Sequence, residues 1–267
     1  MQKLFPAHFT TAALTFALMG TVASTASQAA TLAALQDGTT IAWIDTDAKK
    51  VTGSVPLAGG ASIVGFDVRP ADSKLYGLTA DGAIVTIDAK TGKWDKKSQL
   101  SEKLPAGASF SVDFNPVADR LRVISSTGMS LRVNVDDGKA IVDGTLKYAE
   151  TDGMKGKTPN VMAAGYSNSV AGTKETALYD IDATAGTLVK QAPPNDGILN
   201  TIGALGVKLD GPIAFDVWTD GKGANTGWLL AGGSLHTVDL ATGAAKSLGA
   251  IAGLKGKVTD IAILPSN

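Results

Sequence analysis

Residues 111–138 have the sequence SVDFNPVADRLRVISSTGMSLRVNVDDG. Three short apolar segments rich in β-branched residues are separated by turn-forming residues, and Gly138 lies in the turn that leads to a fourth segment. Such segments predict short antiparallel strands joined by tight turns. The same pattern recurs along the chain, which indicates a repeat protein.

Two features define the repeat. The first is an apolar strand around a small or acidic residue, often followed by proline, with copies at Val64–Pro70, Ser111–Pro116, Ala164–Asn168, Ala214–Val217 and Ile261–Pro265. The second is a strand that ends in Asp or Asn with glycine four residues later, as in the pairs Asp88 and Gly92, Asn134 and Gly138, Asp182 and Gly186, and Asp239 and Gly243. The Asp or Asn side chain accepts hydrogen bonds from its own turn, and glycine tolerates a positive φ there. The copy at Asp45 departs from this pattern, because Lys49 occupies the glycine position.

The spacing of these features predicts an all-β, five-bladed β-propeller with four-stranded blades. A second strand lies between the two features and a fourth follows them, so each unit spans roughly 45–50 residues, as propeller blades do. The repeat begins at a second strand, Thr31–Leu35, and ends with an isolated first strand, Val258–Leu264. The C-terminal strand would therefore complete the N-terminal blade and close the ring. A β-sandwich does not repeat at this period, and a solenoid needs no such closing strand.

The N-terminal residues are typical of a cleavable secretory signal peptide. Lys3 precedes an apolar run from Thr11 to Val22, and small residues follow up to Ala29. This layout predicts cleavage near Ala29, a signal at residues 1–29, a single domain at 30–267, and a periplasmic or secreted protein. A membrane anchor is the alternative, although the apolar run is short for spanning a bilayer.

The composition excludes several classes of function. The chain has no cysteine, which rules out disulfides, thiol catalysis and cysteine-ligated metals. Without Lys3, the 24 basic residues become 23 against 25 acidic ones, a net charge of −2. This balance argues against nucleic-acid binding. After cleavage of the signal, the protein is not expected to insert into a membrane.

Several motifs resemble a family of secreted bacterial proteins, domain of unknown function 4394, that is grouped with β-propellers. They are LYGLTADG (75–82), VDFNPVADRLRV (112–123), LRVN (131–134), LYDID (178–182), PPNDG (193–197) and TVDLATGAA (237–245). The resemblance covers nearly all of the chain after the signal. It implies the propeller fold and export, and it implies no activity or catalytic residue.

One candidate site is a set of acids on the predicted innermost strands. Asp67, Asp113 and Asp216 occupy equivalent repeat positions, where the other two units have Gly165 and Ala262. Three carboxylates near a central channel could hold Ca²⁺, which prefers hard oxygen ligands. The alternative is that each aspartate binds backbone groups at the turn of its own blade. No other cofactor is expected.

A second candidate site lies in the third and fourth units, where polar residues depart from the repeat. The predicted ligand-binding residues are Asn115, Arg122, Arg132, Tyr166, Asn168, Asn195 and Asp196, with Arg120 and Gln191 nearby in the sequence. The stretch 193–197 predicts a rigid polar loop. Arginines suit a carboxylate or a sugar acid. The alternative is a salt-bridge network between blades.

Other side chains favour structure over chemistry. Four tryptophans, Trp43, Trp94, Trp218 and Trp228, could stack on carbohydrate, but they share no repeat position and core packing is favoured for most. His236 is the one histidine after the signal and is predicted to be a partly exposed strand residue, so a histidine metal cluster is excluded.

These features together predict a monomeric, exported ligand-binding or protein-interaction module for a small molecule, a carbohydrate or a protein. A carboxylate-based hydrolase or lyase at the channel mouth, with or without Ca²⁺, is the alternative, because acid catalysis by aspartate needs neither histidine nor cysteine. A purely structural role in the cell envelope is third.

Overall fold

The computed structural model describes residues 1–3 and 31–264 and consists of β-strands joined by turns. The first strands in chain order are β1 (Thr31–Gln36), β2 (Thr40–Asp45), β3 (Lys50–Pro56), β4 (Ile63–Arg69), β5 (Lys74–Thr79), β6 (Ala83–Ile87), β7 (Trp94–Gln99), β8 (Phe110–Asn115), β9 (Arg120–Ser125), β10 (Ser130–Val133) and β11 (Ala140–Val142). They are followed by β12 (Lys147–Tyr148), β13 (Val161–Tyr166), β14 (Leu178–Asp182), β15 (Thr187–Gln191), β16 (Ile198–Ala204), β17 (Ile213–Thr219), β18 (Asn225–Ala231), β19 (Ser234–Val238), β20 (Ala245–Ala250) and β21 (Val258–Leu264). Helical structure in this part of the chain is limited to two 3-10 turns, Ala58–Gly60 and Pro194–Asp196.

The strands form five sheets, which confirms the predicted five-bladed propeller. Blade 1 is β21-β1-β2-β3, blade 2 is β4–β7, blade 3 is β8–β11, blade 4 is β12–β16 and blade 5 is β17–β20. The innermost strands, β4, β8, β13, β17 and β21, surround the central channel, each beside the next. Blade 4 differs from the prediction of four strands, because β12 adds a fifth by pairing in parallel with β16.

Blade 1 closes the ring as the sequence predicted. Strand β1 pairs antiparallel with both β2 and β21, and Leu32 lies opposite Ile44 on one side and Ile263 on the other. Joining the two ends of the chain in one sheet gives β1 a hydrogen-bonded strand on each side. The predicted signal peptide lies outside the described residues, apart from residues 1–3. No helix in the described part of the chain is long and apolar enough to cross a membrane.

The turn that follows the third strand of a blade forms as predicted. The side chain of Asp88 accepts a hydrogen bond from the backbone N–H of Lys90, and the N–H of Gly92 donates to the carbonyl of Asp88. Gly92 has a φ of +70°, and a Cβ there would collide with the carbonyl oxygen of Pro56 in blade 1. The glycine is therefore needed for the turn and for the close approach of the neighbouring blade. Lys49 adopts the same left-handed conformation, with a φ of +50°.

The hydrophobic core consists of five layers, each between two adjacent blades. Between blades 2 and 3, for example, Tyr76 packs edge-on against Phe114, with ring centres 5.4 Å apart. Similar clusters fill the other four interfaces. The alternation of side chains along each strand places one face against each neighbour. Both faces of a blade are therefore buried.

Candidate functional site

The three predicted aspartates converge in the central channel. Asp67 lies on β4, Asp113 on β8 and Asp216 on β17, and each offers a carboxylate oxygen within 4.8 Å of the others. Each residue is at most 8% exposed. Because the three aspartates occupy equivalent positions in their blades, the ring of inner strands brings them close together in the channel.

Each of these aspartates also joins two blades. Asp67 accepts hydrogen bonds from the N–H of Val68 on its own strand, at 2.6 Å, and of Phe114 on β8, at 2.7 Å. Asp113 accepts from Tyr166 on β13, at 3.0 Å, and Asp216 accepts from Ile263 on β21, also at 3.0 Å. The aspartates do bind backbone groups, as the alternative expected, but the donors lie on the inner strands of the same and the next blade and not in a turn of the aspartate's own blade.

A fourth channel carboxylate, Asp260, was missed in the sequence. It lies on β21 two residues before Ala262, and accepts hydrogen bonds from the N–H of Ile261 and of Phe66 on β4, both at 3.0 Å. A Cβ on Gly65 would lie 2.9 Å from its Oδ2, so glycine makes room for this carboxylate. The sequence feature that could have indicated this carboxylate is Gly65, a residue without a side chain on an inner strand. It lies against Asp260, which is two residues away from the repeat position.

The channel acids hold their protons more tightly than ordinary carboxyl groups. Burial is the first cause and raises the pKa of Asp67, Asp113 and Asp260 well above the usual value, and that of Asp216 to about 6. Repulsion by neighbouring carboxylates adds to this effect for Asp67 and Asp113. Within the described residues, no Lys, Arg or His forms a salt bridge with any of the four. Their charge must therefore be balanced by protons or by a cation.

The channel opens at the face where the inner strands end. A cavity of about 350 Å³ there is lined by Asp67 and Asp216 and by the ends of β4, β17 and β21. The segment Ser169–Ala171, which follows β13, covers one side. Asp67 and Asp216 are thus reachable from solvent through this mouth.

The second predicted site is a buried network between blades 3 and 4. Arg122 is 1% exposed, and its guanidinium donates to Tyr166 Oη at 3.2 Å, Ser130 Oγ at 3.0 Å and Asn195 Oδ1 at 3.0 Å. It also forms a salt bridge with Asp143, which Arg132 binds through Nε and Nη2. Every nitrogen of Arg122 is engaged by the protein, in agreement with the alternative of a network between blades. Asp143 was not predicted, because it lies in a linker outside the repeat.

The other predicted residues of this group are dispersed. Asn115 caps its own turn by accepting from Val117 and Ala118, and Asn168 exchanges hydrogen bonds with Asn225 of blade 5. Asp196 is exposed in the loop 193–197, whose backbone is bound to the linker after β11 through Gly144 N–H and Asn195 O, 3.0 Å apart. Arg120 is exposed at the start of β9, and Gln191 is buried at the end of β15.

Asp180 is the least satisfied polar group in this region. It is 0% exposed, and neither carboxylate oxygen has a hydrogen-bond partner. Burial raises its pKa to about 8, and the nearby positive charge of Arg122 offsets only part of this effect. At neutral pH the group is therefore mostly protonated. Its motif, LYDID, indicated a strand but not a buried acid.

The tryptophans and His236 divide between core and surface. Trp228 is buried, and Trp218 packs against the same cluster between blades 1 and 5, as expected. Trp43 and Trp94 are partly exposed. His236 lies on β19 as predicted but is buried, so the prediction of partial exposure was wrong; burial also lowers its pKa.

Comparison with known proteins supports the fold and leaves the activity open. The family model described as "Domain of unknown function (DUF4394)" matches residues 23–262. A protein of unknown function from Bacteroides thetaiotaomicron VPI-5482 has a TM-score of 0.51 at 14% identity, over 86% of this chain and 63% of its own. Another, from Bacteroides caccae, has a TM-score of 0.45 at 16% identity, over 83% of this chain and 73% of its own. No curated protein matches the chain significantly.

Proposed function

We propose a function from the geometry of the site, because the chain belongs to a family that is described only as a domain of unknown function, DUF4394. The protein is an exported, monomeric binding module that holds Ca²⁺ at the mouth of its central channel. The sequence pattern of the first 29 residues supports export. The observation that carries the proposal is the convergence of Asp67, Asp113 and Asp216 beneath an open cavity.

The spacing of the three carboxylates suits a calcium ion. Ca²⁺ binds oxygen at about 2.3–2.6 Å, so two oxygens on one ion lie at most ~5 Å apart. The ligand oxygens here lie within 4.8 Å of one another. Ca²⁺ takes six to eight oxygen ligands, and the cavity of about 350 Å³ leaves room for water or a bound ligand to supply the others.

Electrostatics support a cation over protons as the balance for the charge of these three aspartates. Backbone N–H groups donate to each of these aspartates, and such donors favour the ionised form. Burial and mutual repulsion oppose ionisation. A bound divalent cation removes both obstacles, because it compensates two negative charges in the place where they repel.

Calcium binding is tested with chelator-treated protein by calorimetry and thermal melting. At a calcium concentration ~100-fold above Kd, binding stabilises the folded state by about 2.7 kcal/mol, or roughly 5–10 °C for a domain of this size. Asp113→Asn should abolish the calorimetric signal and the shift. Asp216→Asn should do the same, and serves if the first variant does not fold.

Asp260→Asn is the matched control. Asp260 is equally buried in the channel, but it is outside the group of three converging oxygens. This variant should lower the melting temperature without calcium and keep the calcium-dependent increase. If calcium neither binds nor shifts the melting temperature of the parent protein, the aspartates retain their protons and the proposal is wrong.

A carboxylate-based hydrolase or lyase is a second candidate at the same cavity. The observation that favours it is Asp216, whose pKa is raised to about 6 by burial. An acid that titrates near neutral pH can donate a proton to a leaving group. Turnover of chromogenic glycosides that Asp216→Asn abolishes, with a pH profile that falls above about 6, would support catalysis.

The ligand-binding role of the predicted residues between blades 3 and 4 remains a separate proposal. Arg132 is the group best placed for it, because its side chain is 32% exposed, whereas Arg122 is enclosed. A ligand carboxylate would have to compete with Asp143 for Arg132. A cavity of about 540 Å³ is lined by Ser130 and by Asp143, the partner of Arg132.

A further inference from the structure

A second, larger groove lies on the same face of the propeller, between blades 1 and 2. Its volume is about 940 Å³, within the range of small-molecule sites. Its lining includes Trp43, Lys74, Lys90, Lys93, Asp88 and Asp95. Val68, Ser73 and Leu264 also line the channel-mouth cavity, so the two spaces adjoin.

Trp43 forms a flat platform on one side of this groove. It lies on β2 opposite Gly53 of β3. A Cβ on Gly53 would lie 2.8 Å and 2.9 Å from the Cε3 and Cζ3 atoms of the indole ring, so the ring lies directly over the glycine backbone. This packing holds the ring in place, while the residue remains partly exposed to the groove. A fixed aromatic face of this kind stacks on the apolar face of a sugar ring.

Three lysines give the groove an excess of positive charge. Lys74, Lys90 and Lys93 are exposed, and none forms a salt bridge with a described residue. Two acids, Asp88 and Asp95, also line the groove. Asp88 is occupied in its own turn, where it accepts from the backbone of Lys90 and the hydroxyl of Thr91. The lysines are therefore available for a ligand carboxylate.

We propose that this groove binds an acidic oligosaccharide. Trp43 stacks on a sugar ring, and Lys90 and Lys93 bind the carboxylate of a uronic acid unit. Ser73, Thr86 and Asp95 offer the hydroxyl and carboxylate groups that bind sugar hydroxyls. A nucleic acid fits less well, because the whole chain carries a net charge of −1 and the groove has a single partly exposed indole.

The probe is tetragalacturonate, with maltotetraose as its neutral counterpart. Binding to the purified protein is measured by calorimetry and tryptophan fluorescence in the presence of chelator, which removes any contribution of a calcium site. We expect tetragalacturonate to bind with a submillimolar Kd at ~50 mM salt and several-fold more weakly at ~300 mM, because salt screens the lysine contacts. Maltotetraose should bind at least tenfold more weakly.

Two variants and one control assign the site. Trp43→Ala should weaken tetragalacturonate binding at least tenfold. The double variant Lys90→Gln and Lys93→Gln changes exposed side chains only, so it should fold even if Trp43→Ala does not, and should weaken binding by a similar factor. Trp94→Ala is the control, since Trp94 is partly exposed outside the groove and its Nε1 donates to Ala58 O at 2.9 Å. It should bind as the parent does.

Three results would overturn the proposal. The first is no binding of tetragalacturonate at ~10 mM, far above the expected Kd. The second is unchanged affinity in the double lysine variant. The third is an affinity for maltotetraose equal to that for tetragalacturonate, which would show that the groove does not select acidic sugars.

Discussion

Removing the carboxyl group of Asp180 is expected to stabilise the protein increasingly as the pH rises. The folded state holds the Asp180 proton up to about pH 8, whereas the group ionises near 3.8 in the unfolded chain. Stability is therefore intact below about pH 4 and is lost as the pH rises towards 8. Each pH unit in this interval costs about 1.4 kcal/mol, so the full cost is on the order of 5 kcal/mol.

The variant Asp180→Asn lacks this titration. The carboxylate of Asp180 has no hydrogen-bond partner, so the substitution leaves no other group unpaired. The asparagine amide is itself buried without a partner, and the free-energy cost of burying it does not change with pH. The difference in unfolding free energy between variant and parent should therefore grow by at least about 2 kcal/mol between pH 5 and pH 8, and level off above it. Urea unfolding followed by tryptophan fluorescence at several pH values measures this difference.

Asp182→Ala is the matched control for Asp180→Asn. Asp182 lies two residues further along β14 and is just as buried, but its carboxylate accepts hydrogen bonds from Tyr148 Oη and from the N–H groups of Asn160 and Thr184. This substitution should destabilise the protein, because it removes the acceptor of these hydrogen bonds. A difference between Asp180→Asn and the parent that stays constant within about 0.5 kcal/mol from pH 5 to pH 8 would refute the argument.

Three further predictions concern the fold. Deleting residues 258–267 should prevent a cooperative melt, because blade 1 would lose its innermost strand; a melt within a few degrees of the parent would contradict the closure. Asn195→Ala should cost about 1–3 kcal/mol in urea unfolding, since it removes an acceptor from buried Arg122, whereas Asp196→Ala should stay within about 0.5 kcal/mol; equal effects would contradict the network. Gly92→Ala should destabilise more than Gly186→Ala, because both have positive φ but only Gly92 approaches another blade, and equal melting temperatures would contradict this reason.

The repeat architecture could be predicted because its strands and turns depend on residues that are close together in the sequence. An Asp or Asn that caps its own turn, followed by a glycine with positive φ, is a property of five or six consecutive residues, as at Asp88 and Gly92. Strand alternation is equally local. The isolated strands at the two ends of the repeat then required closure, which the pairing of β1 with β21 confirms.

The candidate sites were predictable only in part. Asp67, Asp113 and Asp216 were found because the repeat aligns them, and the channel brings them together. Asp260 was missed because it is displaced by two residues from the repeat position. Asp143, which holds Arg122 and Arg132, lies in a linker with no repeat pattern. The groove beside Trp43 combines residues from two blades that no sequence spacing relates.

The blade, the number of blades and the closure of the ring can all be predicted from the sequence, because strands and turns depend on neighbouring residues and their periodicity. Which polar groups meet depends instead on how the blades pack. The stagger between adjacent inner strands sets the partner of each channel aspartate, as in the hydrogen bond from Phe114 to Asp67. Burial between blades satisfies Arg122 with four groups and leaves Asp180 with none. Those outcomes depend on distances between blades, which are set by packing across the whole ring.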